Sequence, residues 1–92
     1  MLEKEIEMKL KQEAERMGGW ALKFASPGTA GVPDRIVLLP EGKLAFVELK
    51  APGASLRPLQ QKRKDQLEDL GFKVYVLDSL QGVSDFLREV TG

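Results

Sequence analysis

The sequence predicts one domain of the α/β (α+β) class, in which helices pack against a mixed β-sheet. Apolar residues recur every three or four positions in three segments, short apolar or alternating runs lie between them, and Gly and Pro separate the segments. The predicted order along the chain is α-β-β-β-α-β-α. With 92 residues and no internal repeat or linker, residues 1–92 fit a single domain.

The first quarter of the chain predicts a helix and a strand. Residues 2–17 form the helix, because apolar residues recur there at helical spacing and a Gly pair follows. A short strand is predicted over residues 20–24, with Trp20 and Phe24 in the core. The stretch 25–33 (ASPGTAGVP) is rich in turn formers, which indicates an exposed loop.

Two further strands are predicted over residues 34–39 and 43–50. Pro40-Glu41-Gly42 separates them, as is typical of a hairpin. Counting outward from a three-residue loop places Asp34 directly opposite Glu48 on the neighbouring strand.

The second half of the chain predicts a helix, a strand and a last helix. The second helix is predicted to begin near Ser55 and Pro58 and to end at Leu70. Residues 73–77 (KVYVL) are apolar on both faces, which predicts a buried strand. The last helix follows Asp78-Ser79. The succession of strand, helix and strand implies a parallel, right-handed crossover.

The chain contains no Cys and no His. This excludes a disulfide framework, a zinc knuckle, a Cys or His nucleophile and an imidazole general base. Any metal must bind oxygen ligands, which restricts the ion to Mg²⁺, Mn²⁺ or Ca²⁺. Carboxylates, Lys and Tyr remain as acid–base groups.

Charge is balanced, with 14 basic and 14 acidic residues, but it is unevenly distributed. Residues 50–64 hold five cations and no acid, which favours either a basic face or a solvated helix surface. No apolar run approaches the roughly 18 residues of a membrane span, and the charged first residues are unlike a signal peptide. We therefore expect a cytoplasmic protein.

The opposed acids of the hairpin are its most informative feature. Directly opposed residues have Cβ atoms about 4.5 to 5.5 Å apart, and two like charges there are destabilising. Carboxylates seldom occupy positions inside apolar strands, as Asp34 and Glu48 do, without a partner. A divalent cation would make the pair of acids favourable. Lys50, two residues after Glu48, lies on the same face of the sheet as the pair. The alternative is a structural ion pair in which Lys50 or Arg35 neutralises one acid.

GVPD at residues 31–34 and ELK at residues 48–50 resemble the motifs of the PD-(D/E)xK nucleases. With the acidic first helix and Pro-Leu-Gln at residues 58–60, the chain is similar to the VRR-NUC family over most of its length. The resemblance implies a restriction-endonuclease-like fold and metal-dependent cleavage of DNA phosphodiester bonds. It also implies branched or structured substrates, since stand-alone members of the family resemble junction resolvases.

The resemblance further implies roles for individual residues. Asp34 and Glu48 would bind Mg²⁺ or Mn²⁺, with the carbonyl of Leu49 as a backbone ligand. Lys50 would orient or help activate the attacking water and offset negative charge developing on the phosphate. Gln60 matches the family's glutamine on the helix after the sheet.

Glu3 matches the family's acid on the first helix and is a further candidate metal ligand. It falls inside the apolar stripe of the helical wheel. Acids are also common in a first turn because they complement the helix dipole. Glu7, one turn later and just outside the stripe, is the substitute.

The expected partners are DNA and a second copy of the chain. The candidate contacts to DNA are Lys23, Ser26, Thr29, Arg57, Lys62 and Arg63. For Arg63, which lies among the apolar positions of its helix, the alternative is a packed stem with the charged group in solvent. A homodimer is also expected, because so short a chain has a modest core and a junction resolvase must cut two strands symmetrically.

Two other functions are open. One is a non-catalytic DNA-binding module that keeps the nuclease fold, and the other is a structural or interaction domain. Binding alone does not need opposed acids, which argues against the first. Thermal stabilisation by divalent cations would separate both from a true metal site.

Overall fold

The computed structural model describes residues 2–92, which form one four-stranded sheet and three α-helices in the predicted order. The elements are α1 (Glu3–Arg16), β1 (Trp20–Lys23), β2 (Arg35–Leu39), β3 (Lys43–Leu49), α2 (Pro58–Asp69), β4 (Val74–Leu77) and α3 (Leu80–Thr91). The predicted fold class is confirmed, and most bounds agree within one residue. Within these residues, no helix combines the length and apolar character that crossing a membrane requires.

The start of α2 differs from the prediction. The helix begins at Pro58, and Arg57 is its N-cap residue, so Ser55 lies outside it. Proline at the first helical position has no N–H to satisfy and already has a helical φ angle, which explains why the helix begins there.

The sheet has the strand order β1-β2-β3-β4. The first three strands are antiparallel, while β3 and β4 are parallel and are connected through α2. The hairpin pairs Leu39 with Lys43, as counting from the turn predicts. Glu41 and Gly42 both adopt positive φ angles, 69° and 72°, which lets the chain reverse within three residues.

The core lies between one face of the sheet and the helices α1 and α3. The core residues are Ile6, Leu10, Ala14, Ala21, Val37, Leu39, Ala45, Val47, Leu49, Leu77, Val83, Phe86 and Leu87. In β2 and β3 these residues occupy odd-numbered positions only, because side chains alternate along a strand. Even-numbered side chains, including that of Glu48, therefore point to the other face.

On this other face, three aromatic rings form a partly exposed row. The ring centroids of Phe24 and Phe46 lie 5.6 Å apart, and those of Phe46 and Phe72 lie 5.7 Å apart. Helix α2 contributes no buried residue, and its Leu59 side chain is 40% exposed. Helix α2 therefore covers this face of the sheet only in part.

Two predictions about burial are wrong for this reason. Trp20 is 58% exposed, because it pairs with Leu38 on the face opposite the core. β4 is an edge strand, and its Val76 side chain is 39% exposed. One face of β4 packs against the core, whereas its other face is only partly covered, although both faces carry apolar residues.

Leu10→Ala should destabilise the protein far more than Leu70→Ala. Leu10 is fully buried, whereas Leu70 is 74% exposed. We expect a loss of about 2 to 5 kcal/mol for Leu10→Ala and less than about 1 kcal/mol for the control. Urea unfolding followed by circular dichroism measures both. Equal losses would contradict the position of the core.

Candidate active site

Asp34 and Glu48 meet across the hairpin. The register pairs Arg35 with Val47, and one further step places Asp34 beside Glu48. Asp34 lies just before β2, and its Oδ2 accepts a hydrogen bond from the backbone N–H of Leu49 at 2.8 Å. This bond fixes the Asp34 carboxylate against the end of β3.

The two carboxyl groups lie in different environments. Asp34 is exposed, whereas Glu48 is only 3% exposed. The pKa of Glu48 is raised from 4.5 to about 8, first by burial and then by a hydrogen bond with Asp34 and charge repulsion from it. Lys50 opposes this rise, and Glu3 adds a smaller repulsion. The chain thus holds adjacent acids in a place that disfavours two negative charges.

A cavity of about 280 Å³ opens beside the pair. It is lined by α1, the end of β3 and the start of α2, and every lining residue except Leu49 has a polar side chain. The lining residues are Glu3, Glu7, Asp34, Glu48, Leu49, Lys50, Arg57 and Gln60. All residues predicted to be catalytic or to bind a metal therefore line one cavity.

The two acids of α1 differ in their partners. Arg35 Nε donates to Glu7 Oε2 at 3.1 Å, and Arg35 Nη2 lies 3.0 Å from the same oxygen. Arg35 is 7% exposed and also donates to the carbonyl of Ala21 at 2.8 Å. This pair neutralises Glu7. Glu3 is the acid of α1 whose charge acts on Glu48.

The suggested pairing of Arg35 with the hairpin acids is wrong. Arg35 directly follows Asp34, so its side chain points to the opposite face of the sheet. The same alternation in the sequence could have revealed this. Its contacts with Glu7 tie α1 to β2 beside the site, a structural role that the sequence motifs did not indicate.

Gln60 reaches the cavity from the first turn of α2. Its Oε1 accepts a hydrogen bond from the backbone N–H of Arg57 at 2.9 Å. This bond occupies the amide oxygen of Gln60, so the side chain can act toward the cavity through the two N–H donors of its amide nitrogen. The exposed Arg57 lines the same cavity and adds positive charge at its rim.

The other predicted DNA contacts lie outside this cavity. Thr29 and Arg63 line a separate, mainly apolar cavity of about 480 Å³ between the loop and α2. Arg63 does not extend freely into solvent, because its Nε donates to the carbonyl of Ala30 at 2.8 Å. The remaining candidates are two exposed lysines and a half-buried serine, Lys23, Lys62 and Ser26.

The donor set fits a hard divalent cation. In the described part of the chain, no group of three or more acids is close enough to hold a metal ion. Mg²⁺, however, usually takes one or two carboxylates and completes its shell with water and substrate phosphates. The oxygens of Asp34 and Glu48, with the backbone of Leu49, meet that requirement, and a cation would reverse the repulsion between the acids.

A larger surface cavity of about 610 Å³ lies at the opposite end of β2. Its lining residues are Glu15, Gly18, Gly19, Trp20, Leu38, Leu39 and Pro40. With a single acid and no basic residue, it does not combine the groups that hydrolysis requires. Size alone therefore does not identify the site.

The sheet, the opposed acids and the adjacent lysine agree with the PD-(D/E)xK class of nucleases. Comparison with known families gives a match to the VRR-NUC domain over residues 2–81. The chain therefore belongs to the VRR-NUC family, as its motifs predict.

Two similar proteins extend this result over nearly the whole chain. "Putative nuclease p44" of Acyrthosiphon pisum secondary endosymbiont phage 1 is 50% identical over 88 residues, which cover 96% of this chain and 94% of that protein. A solved structure described as a VRR_NUC domain has a TM-score of 0.88 and 29% identity, and 94% of each chain is covered. The chain is thus a nuclease-family protein whose fold matches that of a solved relative.

Stability in EDTA should fall as the pH rises from about 5 to about 8, because the pKa of Glu48 is raised in the folded state. In this interval the folded protein binds more protons than the unfolded chain, so the contribution is fully present at low pH and is completely lost once Glu48 ionises in the folded protein. Glu48→Gln should remove at least about 1 kcal/mol of this dependence.

Thermal unfolding of the parent and Glu48→Gln across this pH range checks the expectation. Glu15→Gln is the control, since Glu15 is exposed and lies in an ion pair 3.9 Å from Lys11. The same pH dependence in the parent and Glu48→Gln would show that Glu48 is not the group that titrates. Excess Mg²⁺ should flatten the parent's curve by stabilising ionised Glu48.

Proposed function

We propose that the protein is a divalent-metal-dependent DNA endonuclease that hydrolyses phosphodiester bonds. The observation that supports this most strongly is that the hairpin acids, Lys50 and Gln60 line the same polar cavity. The proposal is consistent with membership of the VRR-NUC family. It also answers how hydrolysis proceeds in a chain that has no His and no Cys.

The acids would hold the ion. Asp34, Glu48 and the carbonyl of Leu49 are the proposed ligands of Mg²⁺ or Mn²⁺, and Glu3 is a further candidate at the cavity wall. When bound, the ion lowers the pKa of the attacking water and polarises the phosphoryl oxygen. The hydrogen bond from Leu49 N–H keeps Asp34 in place before the substrate arrives.

Basic and amide groups would act on the water and the phosphate. Lys50 brings positive charge to the same cavity, where it would orient the water and offset charge developing on the phosphate. The free amide nitrogen of Gln60 would donate to the water or to a phosphate oxygen. Arg57 would bind a neighbouring phosphate and so position the strand.

Cleavage of DNA in Mg²⁺, Mn²⁺ or EDTA tests the proposal directly. EDTA should abolish cutting, and Asp34→Asn and Lys50→Ala should each lower the rate at least about 100-fold. Asp85→Asn and Lys11→Ala are matched controls on exposed positions of α3 and α1 and should cut like the parent.

Equal cutting by the parent and both site variants would overturn the assignment. Metal-independent binding of DNA without cutting by the parent would favour the alternative, a DNA-binding module that keeps the nuclease fold. A buried acid beside a second acid argues against that alternative, because phosphate binding gains nothing from them.

We further propose that branched or structured DNA is the preferred substrate and that the protein acts as a homodimer. A second apolar patch, formed by Trp20, Leu38 and Leu44 on neighbouring strands, supports self-association, since a second copy of the chain would cover it. A cytoplasmic location remains a prediction from the sequence.

Junction, flap and linear duplex DNA should be cut in that order of preference by the parent. Sedimentation at micromolar concentration should give a dimer for the parent and a monomer for Trp20→Ser, because Trp20 is 58% exposed and apolar. A monomeric parent would contradict the dimer, and equal rates on all three DNAs would contradict the substrate preference.

A further inference from the structure

Helix α2 carries Gln60 and Arg57 to the cavity although none of its own residues is buried. A helix that is not fixed by core packing needs other contacts to set its position. The contacts between α2 and the loop that precedes Asp34 meet this need.

Two contacts join the loop to α2 on either side of Gln60. Arg63 Nε donates to the carbonyl of Ala30 at 2.8 Å, and Arg63 Nη1 donates to Gln66 Oε1 at 2.9 Å. Gly31 has a φ angle of 85°, and a Cβ at this position would lie 2.7 Å from Cγ of Leu59. The loop backbone therefore rests directly on the helix.

The same stretch of loop leads into Asp34. Pro33, immediately before it, is fully buried, and the carbonyl of Asp34 accepts a hydrogen bond from Phe24 N–H at 2.9 Å. Ala30 and Gly31 are thus joined by a short, fixed segment to the acid of the site. The contacts between α2 and this loop therefore connect the helix that carries Gln60 to the segment that leads into Asp34.

We infer that Arg63 is a positioning residue that holds Gln60 in register with Asp34. Its guanidinium donates to the carbonyl of Ala30 and to Gln66 Oε1. In this role Arg63 acts on the reaction through the position of Gln60 and not as a phosphate contact. This inference rests on the proposed nuclease function. It assigns Arg63 an effect on the rate of cleavage and not on the affinity for DNA.

Arg63→Met tests this role because it keeps an apolar stem and removes the donors. Arg88→Met is the matched control, since it removes the same guanidinium group from α3, where the Arg88 side chain is 75% exposed. We expect Arg63→Met to lower kcat about 10- to 100-fold with KM nearly unchanged, and Arg88→Met to leave kcat unchanged. Arg63→Lys, which keeps one flexible donor, should fall between the parent and Arg63→Met.

A phosphate contact would behave differently. Arg63→Met would then raise KM and reduce the slope of log affinity against log salt by about one, with kcat unchanged. That result would overturn the inference.

A double-mutant cycle separates positioning from general destabilisation. If Arg63 acts through Gln60, adding Arg63→Met to Gln60→Ala should lower kcat by less than about 2-fold. An undiminished effect of Arg63→Met in that background would overturn the inference.

A measurement without DNA keeps the inference separate from the proposed function. The amide protons of Thr29 and Phe24 are hydrogen-bonded to the carbonyls of Ser26 and Asp34, and by NMR they should exchange faster in Arg63→Met than in Arg88→Met. Unchanged exchange would overturn the role of Arg63 in fixing the loop. Faster exchange with a parent that cuts no DNA would refute the nuclease proposal alone.

Discussion

A buried carboxyl group beside an exposed one is the electrostatic constraint around which this domain is organised. Asp34 and Glu48 lie side by side because the hairpin register leaves them no other arrangement, and the environment raises the pKa of Glu48 to about 8. Two neighbouring basic residues offset negative charge around this pair. Lys50 relieves the repulsion, while Arg35 neutralises Glu7, which lines the same cavity. Acids outnumber bases among the residues that line the cavity, which favours the cation that is proposed to bind there.

The domain divides the work between its two faces. One face of the sheet, with α1 and α3, forms the apolar core and holds the hairpin strands in register. The other face presents Glu48, the partly exposed aromatic row and α2. Stability therefore comes mainly from residues that do not line the cavity. At the cavity, Asp34, Glu7 and Gln60 are fixed by hydrogen bonds or an ion pair.

The element order, the hairpin register and the convergence of Asp34, Glu48 and Lys50 could be predicted from sequence, because all three depend on local periodicity. The exposure of Trp20 could not be predicted in this way. It depends on which face the helices cover, which is a property of the whole packing. The contact of Arg63 with a loop carbonyl was missed for the same reason, since it joins residues 33 positions apart.

The lack of buried residues in α2 has an evolutionary consequence. Substitutions on a helix that adds nothing to the apolar interior have small effects on folding, so most of its surface is free to change. Positions on α2 away from the cavity and the loop can therefore change while the interior stays the same. Gly31, in the loop that faces this helix, lacks the same freedom, because a Cβ there would meet Leu59.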